Sequence, residues 1–362
     1  MTDPSNAAGE MTRASLDNPP IRYYEDAQPG ELVGPVTYGP MTIMHLVRWC
    51  AAMENWHRIH YDYLFCTEHE GLAGPVINGS WKQQVLAQLL KDWAGPTGWV
   101  QDLSFQFRGM DIVGEQLRVQ GKVESAVARD GVGEIKCSLE ITNSSGEATT
   151  IGRGTVLLPM RDGTAVPYPH TVSADVSDEP APQSNRALCP PRYETFLGLE
   201  SNVLVTVEPI DASAVRRFAQ AIMVRDADYS DARSPGAQRF GSVVAPPLFP
   251  LHAFHDPVGA TDPLLQALHD DEFDGASQTP WAGFGLRELP DAPKRILNGG
   301  NRVRLFAYAP LGSRVDVVSR YEDIYEKSGS QGPLLFVSVR SDYSVHETGQ
   351  PLLSSLQTLI LR

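Results

Sequence analysis

One order of elements occurs twice in this chain, on either side of a stretch that resembles neither half, and it leaves few architectures open. Between Met160 and Pro191 the sequence is crowded with Pro, Ser, Ala and Asp and shows neither the period-2 nor the period-3.6 apolar pattern of a regular element. Before it, Thr42 is placed to cap a helix whose apolar positions Ile43, Leu46, Val47 and Cys50 follow helical spacing, ending near Met53. A second helix follows Gly79, with Val85, Leu86, Leu89 and Leu90 on one stripe and Gly95-Pro96 as its stop. Strand-like runs come next: Leu103 to Phe107, Gln116 to Val127, Glu134 to Thr142 and Thr149 to Leu158, joined by turns such as Asp130-Gly131 and Ser145-Gly146. After the stretch the order recurs as an extended run from Asn202 to Val207, a helix from Ala212 to about Val224, and strands Arg302–Tyr308, Arg314–Tyr325, Leu334–Val345 and Leu352–Ile360. Alternation in Val303 and Leu305, and in Val315 and Val317, suits sheets with one face on a core and one in solvent.

A duplicated α+β domain accounts for this pattern, and 362 residues suit two domains of about 150 each. The expected boundaries are a flexible tail over 1–20, a first domain over 21–160, a linker over 161–191 and a second domain over 192–362. Long antiparallel strands wrapping one central helix, twice over, describe a double hotdog.

Charge and cysteine usage narrow the function. The 30 Lys and Arg stand against 44 Asp and Glu, a formal charge of -14, so the phosphate backbone of a nucleic acid is repelled overall. A small anionic ligand is still admitted, because a few arginines and a helix N-terminus reverse the field locally. No window approaches the roughly 18 uninterrupted apolar residues of a spanning helix, and the first twenty residues lack a hydrophobic signal core. Neither a membrane nor secretion is expected, and the cytoplasm is the expected compartment. Cys50, Cys66, Cys137 and Cys189 lie far apart with no C-x-x-C spacing, which fits neither a zinc site nor a disulfide framework.

The densest group of chemically capable side chains is Asn55-Trp56-His57-Arg58-Ile59-His60-Tyr61-Asp62, just past the first helix. A loop on a rigid helix end suits a proton-transfer group, although paired histidines in a loop are also common as surface or hydrogen-bonded structural groups. His57 and His60 have no further Cys, His or acidic pair at ligand spacing, so no metal is expected. Downstream, Gly71 to Ser80, including Pro75, Val76 and Asn78, opens the second helix. The N–H groups at a helix start, with the positive end of the macrodipole, hold an oxygen on which negative charge develops, and Gly79 is the expected donor. The plainer reading is that glycine and proline shape a turn there.

Together these residues resemble the MaoC-like hydratase/dehydratase superfamily, whose motif runs Gly-Asp-x-Asn-Pro-x-His and is followed by a helix opened by a His-Gly pair. Asn55-x-His57-Arg58-Ile59-His60-Tyr61-Asp62, Glu70-Gly71 and Gly74 to Gly79 are closest to mesaconyl-CoA and itaconyl-CoA hydratase-like proteins and to dehydratases similar to that of type I fatty acid synthase. The second half resembles the other hotdog of those proteins through Ala245-Pro246-Pro247, Leu297 to Asn301 and Gly329 to Phe336, in the reverse of the commonest order. Tyr229 stands there in the histidine place and Val224 in the acid place. The resemblance therefore implies a chemically silent half that enlarges the acyl pocket. In the first half Asn55 replaces the usual catalytic Asp and Asn78 the usual His. An amide cannot serve as a base, so the resemblance leaves His60 as the principal one.

The implied reaction is reversible addition of water across the 2,3 double bond of an acyl-CoA, of the (R) type. His60 acts as general base, Asn55 orients the water, and the Gly79 N–H holds the thioester oxygen. His57, Arg58, Asn78, Pro75 and Val76 are expected around the substrate, with coenzyme A (or an acyl carrier protein) as its carrier and no separate cofactor. Arg108, Arg302 and Arg304 are candidates for the carrier's phosphates. Competing expectations are a hotdog thioesterase using Glu54 or Asp62, and a non-catalytic acyl-CoA-binding subunit. Pairing of two such chains as a homodimer is left open.

Overall fold

A computed structural model describes residues 20–170, 185–257 and 259–362, apart from positions 260, 261, 263, 264, 266, 268, 277–279, 294, 330 and 331. The expected tail, save residue 20, and positions 171–184 of the expected linker lie outside the described residues. In the first half the elements are β1 (Leu32–Tyr38), α1 (Ile43–Met53), α2 (Gly79–Ala94), β2 (Trp99–Phe107), β3 (Leu117–Arg129), β4 (Val132–Thr142) and β5 (Ala148–Pro159). In the second they are β6 (Leu204–Val205), α3 (Ala212–Ala221), α4 (Pro235–Phe240), β7 (Ile296–Leu305), β8 (Val315–Gly329), β9 (Gly332–Val345) and β10 (Pro351–Leu361).

All ten strands form one antiparallel sheet in the order β1-β3-β4-β5-β2-β7-β10-β9-β8-β6. Read outward from its centre the order is the same in both directions, which is the double hotdog. The halves join where β2 pairs with β7, in the register Asp102↔Arg304, Leu103↔Val303, Ser104↔Arg302 and Phe105↔Asn301. Leu103, Phe105, Val303 and Leu305 are buried on the inner face, as their alternation requires, in a core that runs across both halves.

Helix α2 lies against that inner face. Its expected stripe of Val85, Leu86, Leu89 and Leu90 is buried, and each such side chain stabilises the fold by about 1.5–3 kcal/mol. Its polar side is buried as well, because α3 packs nearby and the Trp81 indole N–H donates to the Ala221 carbonyl at 3.1 Å. The helix stops at Gly95, whose φ of +70° brings it against the chain at Pro20; a Cβ there would sit 2.4 Å from the Pro20 carbonyl oxygen.

The second half departs from the first at the same place. Val76 N–H donates to Ile59 O, Ile77 N–H to Asp111 O and Val113 N–H to Pro75 O; Val244 donates to Asp228, Ala245 to Ala309 and Leu311 to Val243 in the same pattern. Where α2 then begins in the first half, the second makes, among the described residues, the short 3-10 turn Phe249–His252. Pro246, Pro247 and Pro250 supply no N–H donors, and an α-helix cannot propagate through them. The first described stretch of the expected linker is packed against the fold at its end: the Tyr168 ring stands edge-on to Trp99 at 5.5 Å and tilted to Phe240 at 4.7 Å, and the His170 N–H donates to the Phe306 carbonyl.

Candidate active site

Helix α1 is capped at Thr42, whose hydroxyl and N–H both meet His45 Nδ1, and it ends at Glu54 in the left-handed region (φ 50°). That conformation is strained for a residue with a side chain, and it turns the chain sharply into the histidine loop. Asn55 then fixes the loop by accepting the His57 N–H on its side-chain oxygen at 3.2 Å. A 3-10 turn over Arg58–His60 follows.

Within that turn His60 points inward. The distance from Nδ1 to the Val76 carbonyl oxygen is 2.8 Å, and since a carbonyl only accepts, Nδ1 carries the proton and Nε2 is the basic nitrogen. Burial pushes the His60 pKa down to about 4, against the Val76 hydrogen bond, which raises it, and with a small lowering by His57. At neutral pH the ring is a free base. The His57 ring stands edge-on to it at 5.7 Å between centroids, and burial lowers the His57 pKa too, opposed by Asp274 and Glu70.

Val76 belongs to the strap Pro75–Asn78 that opens α2, which is threaded between the histidine loop and residues 111–113 by the hydrogen bonds above. Asn78 is buried and occupies the N-cap without donating or accepting a cap bond; its Nδ2 has no partner among the described residues. Gly79 is the first residue of α2, so its N–H has no intrahelical acceptor. A Cβ at this position would fall 2.8 Å from the Phe107 ring, which explains why a glycine opens the helix. Beneath it Lys82 and Asp111 form a buried ion pair at 2.5 Å, with Thr149 Oγ1 donating to the same carboxylate oxygen at 2.7 Å. Burial draws the Lys82 pKa down, against the pull of Asp111.

The loop and the strap bring His60, Pro75, Val76, Asn78 and Gly79 into one unit. Arg58 is committed elsewhere: Nε and Nη2 donate to Asp62, Nη1 donates to the carbonyls of Asp271 and Phe273, and its N–H donates to Asp274 O. It ties the histidine loop to a segment of the second half, where Gly275 (φ +90°) packs so closely that a Cβ would overlap the Trp56 carbonyl. Arg302 and Arg304 alternate with the buried Val303 and Leu305, so they lie on the outer face of the sheet, opposite α2, and Arg108 donates to Gln106 at 2.8 Å. Sequence reasoning missed Lys82, Asp111 and Asp274. A lysine inside a helix that is otherwise buried was the available signal for the first.

The second half repeats this backbone with other side chains. Met223 is left-handed (φ 58°) as Glu54 is, and the following 3-10 turn Ala227–Tyr229 is flanked by Asp226 (φ -74°, ψ 123°) and Ser230 (φ -149°, ψ -22°). The first-half flanks, His57 (φ -62°, ψ 116°) and Tyr61 (φ -149°, ψ -19°), nearly superimpose in these angles. Tyr229 therefore occupies the place of His60, and Val224 that of Asn55. The loop is spent on structure: Lys91 of α2 contacts Asp226 at 2.5 Å and Asp228 at 2.8 Å, while Tyr229 donates to Gln88 at 2.7 Å. Among the described residues no group of three His, Cys, Asp or Glu is placed to hold a metal, and no helix is long and apolar enough to cross a membrane.

Comparison with known proteins agrees with both halves. The family model for hydroxyacyl-thioester dehydratase type 2 matches residues 23–115, and that for the FAS1-like dehydratase domain region matches 196–352. No curated protein matches the sequence. Among solved structures, a MaoC domain protein dehydratase from Chloroflexus aurantiacus is 12% identical with a TM-score of 0.61, covering 94% of this chain and 97% of its own. A conserved hypothetical protein from Mycobacterium tuberculosis, described as a double hotdog, is 13% identical with a TM-score of 0.57, covering 94% and 98%. A MaoC-like dehydratase is 15% identical with a TM-score of 0.56, covering 93% and 99%. The structures establish the fold, and the two family models support a hydratase or dehydratase kind of function. With a dehydratase family model matching part of each half of one continuous antiparallel sheet, this chain is a double hotdog whose two halves are both similar to dehydratase families.

Proposed function

We propose that the protein is an (R)-type enoyl-thioester hydratase/dehydratase acting on an acyl-CoA, with its chemistry in the first half. The observation that carries this reading is the His60–Val76 hydrogen bond. It fixes the tautomer that leaves Nε2 as a base, on a loop bonded to the strap that ends at Gly79. In the hydration direction Nε2 takes a proton from water as its oxygen bonds to C3. The C2–C3 π electrons move toward the thioester oxygen, which the Gly79 N–H and the positive end of α2 hold. The imidazolium then gives its proton to C2, so one water is added and the ring is neutral again.

Asn55 holds its oxygen on the His57 N–H and has its amide N–H groups left to orient water. Asn78 offers a second donor beside Gly79, from an amide nitrogen that is already out of water. The acids that hydrolysis would require are poorly disposed. Asp62 is bound by Arg58, and Glu54 faces His255 at 3.5 Å from a half-exposed position, which favours hydration over a thioesterase. Incubating the protein with a panel of 2-enoyl-CoA thioesters and following the conjugated absorbance tests the reading. Loss of absorbance that depends on His60 supports it; thiol release without hydration overturns it.

A further inference from the structure

The half without a catalytic base keeps a cleft. It measures about 960 Å³, within the range of sites that take a ligand of drug size, and lies against the silent loop. Met223, Val243 and Leu311 form an apolar part of its wall, and Arg48, Arg216 and Arg225 line it. The charge pattern is the unusual feature. Arg48 Nη2 and Arg216 Nη1 both donate to one neutral atom, Gln220 Oε1, at 3.3 and 3.1 Å. Two like charges are thus gathered on a single amide oxygen. Among the described residues neither they nor Arg225 have a carboxylate partner, although the chain as a whole carries 14 excess negative charges. Asp226 also lines the cleft, but its carboxylate is engaged by Lys91.

Converging guanidinium groups without a counter-ion are arranged to take an anion, and their forked donors suit phosphate oxygens. The apolar wall beside them asks for a ligand with an apolar limb. Catalysis is excluded by the loop itself, since Tyr229 stands where His60 stands in the first half and its hydroxyl is turned to Gln88.

We propose that this cleft is a second, non-catalytic site for a phosphorylated carrier with an apolar limb, the chemistry of an acyl-CoA. The identity of that carrier rests on the function proposed above; the anion site itself rests on the arginines. The experiment is equilibrium titration of the full chain with octanoyl-CoA, a saturated thioester that cannot be hydrated, alongside free CoA and octanoate. The wild type is expected to bind two equivalents of octanoyl-CoA. Arg216→Glu/Arg225→Glu, both at exposed positions, is expected to weaken one of them at least tenfold with the thermal transition and enoyl-CoA turnover unchanged. Equal stoichiometry and affinity in the wild type and the double variant overturn the proposal, and so does binding of octanoate but not CoA in the arginine-dependent site. Should the wild type bind one equivalent that the double variant loses, the second-half site stands and the catalytic reading of the first half falls.

Discussion

His60 and Val76 are joined in both directions: the Val76 carbonyl accepts from His60 Nδ1 at 2.8 Å, and the Val76 N–H donates to Ile59, the residue before His60, at the same distance. One residue of the strap thereby sets both the tautomer of the histidine and the distance between the loop and the start of α2. Replacing His60 by Ala is expected to lower enoyl-CoA hydration by about 10²- to 10⁴-fold, the usual worth of a positioned base. The ring is half-buried, so the variant should retain a cooperative thermal transition, and steady-state kinetics with circular dichroism melting check both parts.

The acid limb of the rate profile follows from the same burial. With its pKa pushed down to about 4, His60 remains a free base well below the ordinary imidazole range, and kcat/KM should fall only as pH approaches 4. Stability has the same sign. His60 and His252, the latter also pushed down to about 4 by burial, bind fewer protons folded than unfolded between about pH 6.5 and 4. Their contribution is complete above that window and declines as pH falls through it. A melting temperature that rises on acidification across the window contradicts this.

Gly79 faces the far edge of the Phe107 ring. Gly79→Ala places a methyl group 2.8 Å from the far edge of Phe107, and overpacking of this kind costs about 1–3 kcal/mol. Denaturant titration should register that loss. Adding Phe107→Leu should restore much of the stability, because the clash is with the ring and not with the backbone.

Asn78 separates function from stability in the other direction. Its amide nitrogen is buried without a partner among the described residues and its oxygen accepts only a long contact from the Cys50 thiol at 3.9 Å, so removing the amide relieves a desolvation penalty and breaks only that weak bond. Asn78→Ala is expected to reduce turnover roughly tenfold or more through loss of an oxyanion donor, which is typically worth about 2.7–4 kcal/mol when fully used, while the melting temperature changes little. Unchanged turnover would remove Asn78 from the proposed site.

Lys91 holds the two halves together by charge. Burial works against its ammonium group, but the carboxylates of Asp226 and Asp228 more than offset this and keep it above its usual pKa range. Lys91→Met strands two carboxylates in the interior and should cost about 3–5 kcal/mol in urea titration. Adding Asp226→Asn and Asp228→Asn to it should recover most of that loss.

What could be read without coordinates depended on how far apart the interacting residues lie. The strands of both halves and the stripe on α2 declare themselves by period, and the correspondence of Tyr229 with His60 by local spacing. The Lys91 pair joins residues 135 and 137 positions apart, and no period reports it. The same holds for Lys82 with Asp111, and for Arg58, whose carbonyl acceptors come from the far half. The 3-10 turn that stands, among the described residues, where α2 begins in the first half was marked by Pro246, Pro247 and Pro250, but the symmetry of the remaining elements concealed it.

The pairing of β2 with β7 carries a consequence for anyone dividing this protein. Each half taken alone would present that strand as a bare edge, with its backbone donors and acceptors open to the next molecule. Cutting the chain between the halves should leave two fragments that stay associated as one particle, whereas either fragment expressed by itself should aggregate or pair with its own copy through the uncovered strand.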